Sequence, residues 1–202
     1  LGQAALQERL PASARGKALQ CLAVLARWEW PAEDPAALSN VLQLLAAPGE
    51  PRRVGARLLR AIAEEFDPRS HRSMWKATEQ LQAAFTLALP DVWTALQHAL
   101  EAGDAEVGGG GDSALLLCLE ACRALLSSAP LGGPAVPVRQ PAALLRAVGA
   151  RLPPPPRVAD CAVACAALDC VAELAERQAP EVGLLLVCGS RARAPACRMR
   201  AR

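Results

Sequence analysis

Apolar residues recur along this chain at helical spacing, in short stripes of Leu, Val, Ala and Cys, and a Pro- or Gly-marked break follows each stripe. The alternation runs from about Lys17 to Arg177. Leu19, Leu22, Ala23 and Ala26 predict a helix capped by Ser13 that runs to about Trp28 and is stopped by Pro31. Trp30, preceding the proline, is biased to an extended conformation. Asp34-Pro35 reads as a cap followed by a proline at the first helical position, opening a helix with the stripe Leu38, Val41, Leu42 and Leu45. Pro48-Gly49-Glu50-Pro51 predicts a turn, and Val54, Leu58, Ile62 and Phe66 mark the next helix at steps of four.

The second half repeats the scheme with longer breaks. Ser73 caps a predicted helix through Leu81 and Phe85, and Pro90 predicts a kink or a restart before Trp93, Leu96 and Leu100. Asp112 or Ser113 caps a helix with Leu115, Leu119, Cys122 and Leu126, ending near Ser128. A helix is predicted over Ala142 to Leu152. Another is predicted over Val158 to Arg177, with the stripe Cys161, Cys165, Leu168, Val171 or Ala172, and Ala175. No strand-like alternation competes with these. The expected fold is all-α: a partial α-solenoid of antiparallel helix pairs of the HEAT or armadillo kind, whose usual work is holding other macromolecules. The expected solenoid covers residues 1–178, with a Gly-rich loop at 103–112 and a Pro-rich loop at 129–141, and residues 179–202 form a weakly structured basic tail.

Composition supports helix: 52% of the 202 residues are apolar but only 3% aromatic, and Tyr is absent. With 22 Lys and Arg against 20 Asp and Glu, there is no global nucleic-acid footprint. The five Arg after Gly189 read as a disordered tail rather than a binding arm. No apolar run approaches the ~20 residues of a membrane helix, so membrane insertion is not expected. The chain opens without a signal-peptide pattern.

The candidate chemistry thins out on inspection. Eight Cys stand at 21, 118, 122, 161, 165, 170, 188 and 197, with pairs four apart on one helix face rather than in C-x2-C knuckles. Buried structural thiols are the expectation, and no metal site. His71 and His98 lack ligand-spaced neighbours, and the carboxylates of Glu64-Glu65 diverge by ~100° on a helix. Gly108 to Gly111 is followed by no Gly-Lys-Ser or Gly-Lys-Thr, and Ser127-Ser128 has no base. The reading is a chain with no catalytic, cofactor-binding or metal residues, not an enzyme. Trp28, Trp30, Trp75 and Trp93 pack between helices or anchor a partner; Trp75 and Trp93, 18 residues apart, share a face if the helix is straight. No partner-binding residue is assignable.

Three stretches carry a family resemblance: Trp28-Glu29-Trp30-Pro31, then Asn40-Val41-Leu42-Gln43-Leu44-Leu45, then Leu58-Leu59-Arg60-Ala61-Ile62-Ala63-Glu64-Glu65-Phe66. Together with Ala114 to Leu131, Leu144 to Leu152 and Ala159 to Glu176 they resemble the exportin branch of the importin-β superfamily, over about Lys17 to Gln178. Ser127-Ser128-Ala129-Pro130 departs from the aromatic that often precedes this proline, and the Gly-rich and Pro-rich loops and Arg tail are not family features. Members are several times longer, so the resemblance implies an amino-terminal fragment with apolar faces at its ends. It also implies nuclear export with the GTP-bound form of the Ran GTPase and a protein cargo, shuttling between nucleus and cytoplasm. The wording at Asn40 to Leu45 is most similar to a member that exports actin–profilin complexes. The residues themselves leave open a generic HEAT or armadillo scaffold and, more remotely, a closed bundle with a hidden hydrolase or metal site.

Overall fold

Six helices follow one another in the computed structural model, which describes residues 11–67, 75–102, 113–128, 143, 146 and 161–177. They are α1 (Ala12–Glu29), α2 (Ala37–Ala46), α3 (Glu50–Glu65), α4 (Trp75–Ala102), α5 (Ala114–Ser128) and α6 (Cys161–Arg177). No strand occurs among the described residues. The Gly-rich and Pro-rich loops, the basic tail and most of the helix expected over Ala142 to Leu152 lie outside them, as do His71 and Ser73.

The helices stack in two rows. α1, α3, α5 and α6 lie side by side in one row; α2 and α4 form the other and pack on α3 and α5. This is the α-solenoid arrangement, in which each helix pair buries its apolar stripe only against its neighbours. α1 and α3 run parallel, since Arg15 near the start of α1 reaches Glu50 at the start of α3, and Arg27 near its end reaches Glu65 at the end of α3. α2 and α3 form an antiparallel hairpin closed over Ala47–Gly49, with Gly49 at φ 76°. Gly55 sets how closely they cross: a Cβ there would lie 2.7 Å from the Leu45 backbone nitrogen. The buried Arg52 side chain donates from Nε to the Leu45 carbonyl at 3.3 Å, satisfying an orphan acceptor at the end of α2.

The core holds much of the expected stripes, with Leu22, Ala26, Leu42 and Leu115 part-buried against it. Leu19, Ala23, Leu38, Val41, Leu45, Val54, Leu58, Ile62, Phe66, Leu81, Phe85, Trp93, Leu96, Leu100, Leu119, Cys122 and Leu126 are all buried. Trp30, Phe66 and Phe85 pack ring against ring, with centroids 5.1 to 6.4 Å apart, and tie the ends of α1 and α3 to α4.

Several local expectations need correction. Pro11, not Ser13, occupies the N-cap of α1, where its carbonyl accepts from Ala14 and Arg15. Pro35 lies in the turn before α2 rather than at its first position, while Asp34 accepts from the Ala36 amide at 3.2 Å. Glu50 and Pro51 are not turn residues but open α3, where a proline lacks only an amide that has no helical partner. Of the kink or restart expected at Pro90, the restart does not occur: α4 is one helix through Pro90, with Leu89, Val92, Trp93 and Leu96 fully buried on both sides of it. Ser113 does cap α5: its Oγ accepts from the Leu116 amide at 3.1 Å. The largest difference is in α6. Cys165 and Leu168 of the expected stripe are exposed, and Ala167 and Cys170 are buried instead. α6 is apolar on more than one side, so periodicity alone could not select the packed face.

Candidate partner-binding surface

The exposed face of the longer row is built from charged residues that the sequence pattern placed opposite the core. Over α3, between α1 and α5, lies an open groove of about 640 Å³, lined by Gly16, Gln20, Arg57, Arg60, Ala61 and Glu64 among others. A second recess of about 270 Å³ continues over α5, lined by Arg60, Glu64, Glu120, Arg123, Ala124 and Ser127. The two share Arg60 and Glu64, so they form one polar track across the row. Both are open and bear fixed charges, unlike the enclosed apolar pockets that take small molecules.

Ion pairs link neighbouring helices along this row. Arg27 Nη1 of α1 lies 3.1 Å from Glu65 of α3, Arg60 Nη1 of α3 lies 2.7 Å from Glu120 of α5, and Arg123 Nη1 of α5 lies 3.0 Å from Asp169 of α6. Arg15 and Glu50 add a looser contact at 3.6 Å. In all four the arginine stands on the earlier helix and the carboxylate on the later one. Arg60 also donates from Nε to Glu64 within α3 at 2.8 Å. That hydrogen bond, with the charges of Glu64 and Glu120, raises the Arg60 pKa further. Arg60 and Arg123 are about half exposed, so their pairs contribute little to stability and leave polar atoms at the surface.

The chemistry that sequence reasoning weighed falls into place here. Glu64 and Glu65 diverge as adjacent helical residues must: one faces Arg60, the other Arg27. Ser127 and Ser128 donate their hydroxyls to the Ala124 carbonyl. His98 is exposed, with Nδ1 at 4.0 Å from Glu101. Among the described residues, no group of three His, Cys, Asp or Glu side chains is arranged to hold a metal, and no helix is long and apolar enough to cross a membrane.

The thiols divide. Cys118, Cys122 and Cys170 are buried where α5 meets α6, and Cys170 donates its thiol to the Leu119 carbonyl at 3.4 Å. Burial pushes the Cys122 thiol well above its usual range and that of Cys170 up to about 12. Cys21 and Cys165 are exposed; Cys161's side chain, Cys188 and Cys197 lie outside the description. The tryptophans divide too. Trp30 and Trp93 are core residues, whereas Trp28 is 61% exposed on α1; the Trp75 side chain lies outside the description. The sequence separated Trp28 from Trp30 poorly because they sit two residues apart at a helix end. It missed the ion-pair ladder, whose partners are 35 to 60 residues apart.

Comparison with known proteins gives one match. The family model described as Exportin 1-like protein covers residues 11–171. No curated protein and no solved structure matches the chain.

Proposed function

Because the chain belongs to the exportin 1-like family, a family of nuclear transport receptors, we propose that it binds protein cargo together with the GTP-bound form of Ran and shuttles between nucleus and cytoplasm. The observation that carries this reading is the family match itself, which spans all six helices through the first eleven residues of α6. The stacked rows and their open polar track are compatible with it: a macromolecular partner needs extended, exposed surface with both signs of charge rather than a closed pocket. The finer reading is exportin-6, with actin–profilin as cargo. It rests on the wording at Asn40 to Leu45, which lies on α2. Val41 and Leu45 of that stretch are core, so Asn40 and Gln43 are its exposed members.

The test is direct binding by the purified 202-residue chain, measured by titration calorimetry against Ran locked with GTP and, in parallel, Ran with GDP. Binding that requires GTP, and that strengthens when actin–profilin is added, supports the proposal. Equal or absent binding to both nucleotide forms overturns the Ran reading, and GTP-dependent binding indifferent to actin–profilin overturns the cargo reading alone.

A further inference from the structure

Gly16 is a glycine that its own helix has no use for. It lies inside α1 with helical backbone, and a Cβ added there would meet nothing within 4 Å. Alanine is favoured over glycine at such a position. Gly16 lines the open groove over α3, together with Leu19 of α1, Ala61 of α3 and Leu117 of α5. Leu19 and Leu117 are buried at its base, and the exposed Gln20, Arg60 and Glu64 form its rim.

Charge is ordered along the same groove. The first turn of α1 holds Arg15 and no acid, and that of α3 sets Arg52 and Arg53 against Glu50 alone. The last turn of α3 holds Glu64 and Glu65 and no base. A helix is most stable with the reverse arrangement, acids first and bases last. Along α3 the groove therefore meets Arg57, Arg60, Glu64 and Glu65 in that order. Two departures from local stability, the glycine and the charge order, fall on one groove, and a bound partner accounts for both.

We propose that this groove docks an amphipathic helix of a partner protein, antiparallel to α3, with basic residues in its first turns and acidic residues in its last. α1 and α5 each pack beside α3, so their axes stand two interhelical spacings apart, roughly 16 to 20 Å, which leaves room over α3 for one helix about 10 Å across. The missing side chain at Gly16 lets that helix come close. A helix pairs its own backbone groups, whereas an extended segment needs a strand edge, and the described residues offer none. In the antiparallel orientation the partner's basic turns and the positive end of its macrodipole both face Glu64 and Glu65, and its acidic turns face Arg57. The site lies inside the row, so it does not depend on where the row ends. It rests on the reading of the polar track as a partner surface, but requires neither Ran nor a particular cargo.

The probes are two side-chain cross-linked helical peptides of equal composition and helicity, each as long as α1, 18 residues, with Ala and Leu along one face. One carries Lys in its first half and Glu in its second; the other reverses the order. Fluorescence anisotropy with the full chain is expected to show the Lys-first peptide binding about tenfold more tightly, an advantage that shrinks in high salt. Arg57→Gln and Glu64→Gln should each reduce the advantage. Gly16→Leu, checked for unchanged helicity, should abolish binding by filling the groove. Equal binding of the two peptides, binding of neither, or undiminished binding by Gly16→Leu overturns the proposal. GTP-dependent Ran binding by a chain that takes neither peptide overturns the helix site alone, and peptide binding by a chain indifferent to Ran overturns the Ran reading alone.

Discussion

Gly55 and Gly16 are both helical glycines, yet the same change to alanine should move stability in opposite directions. Alanine is favoured over glycine in a helix interior by about 1 kcal/mol, through the smaller backbone entropy lost on folding. At Gly16 on α1 nothing lies within 4 Å of an added Cβ, so Gly16→Ala should gain most of that, about 0.5 to 1 kcal/mol. At Gly55 the Cβ meets the Leu45 nitrogen at 2.7 Å, the Leu44 carbonyl carbon at 3.0 Å and the Leu44 Cβ at 3.1 Å. The nearest two are backbone atoms of α2, so relief requires the whole helix to shift. Overpacking of this kind costs roughly 1 to 3 kcal/mol, which outweighs the helical gain and leaves Gly55→Ala about 1 kcal/mol less stable than wild type. The two variants should therefore differ by about 2 kcal/mol in urea unfolding followed by circular dichroism, with m unchanged. A Gly55→Ala variant as stable as Gly16→Ala would refute the reasoning, because the α2–α3 crossing would then have slack that the geometry denies.

Other expectations follow from the same structure. Trp30→Ala should cost about 3 to 5 kcal/mol by opening the Trp30–Phe66–Phe85 cluster, whereas Trp28→Ala, two residues away, should change stability by about 0.5 kcal/mol or less in the same assay. Alkylation followed by site-resolved mass spectrometry should label Cys21 and Cys165 in the native protein, and Cys118, Cys122 and Cys170 only on unfolding. The raised pKa of Cys170 links folding to alkaline pH. Below the unfolded value of 9.0 both states hold the proton and the stabilisation is complete; between 9.0 and about 12 only the unfolded state releases it, so stability falls. Urea midpoints measured from pH 8 to 10.5 should decline less steeply for Cys170→Ala than for wild type. Arg27→Ala should cost about 1 kcal/mol, more than Arg123→Ala, because the Arg27–Glu65 pair is largely shielded from water whereas Arg123 and Asp169 are solvated.

Much of this fold was legible in the sequence because α2 and α3 each carry a dominant stripe between breaks. Val54, Leu58, Ile62 and Phe66 recur every four residues, and all four are buried, with Leu59 beside them. α6 resisted the same reading for a physical reason. Its Ala, Val, Leu and Cys residues surround the helix, so several stripes fit and only contact with α5 selects Ala167 and Cys170. A restart at Pro90 does not occur because the residues buried on either side of it offset the local cost of a helical proline. The polar track was beyond reach: Arg60 reads as one more surface arginine until stacking sets it beside Glu120, 60 residues on. Ser113 and Ser13 show the same limit at smaller scale: both are caps by residue type, yet Ser113 caps α5 while α1 starts earlier, from Pro11.

The ion-pair ladder has a direction, and direction makes the repeats exchangeable. In the longer row, α3 and α5 each accept from the helix before them and offer an arginine to the helix after them. Excising the unit formed by α4 and α5 would bring Arg60 of α3 up against Asp169 of α6, again an arginine facing a carboxylate. Duplicating that unit would set Arg123 of the first copy against Glu120 of the second. A row wired this way can lengthen or shorten by whole modules without stranding a charge, so the length of such an array is free to drift while its joints stay the same.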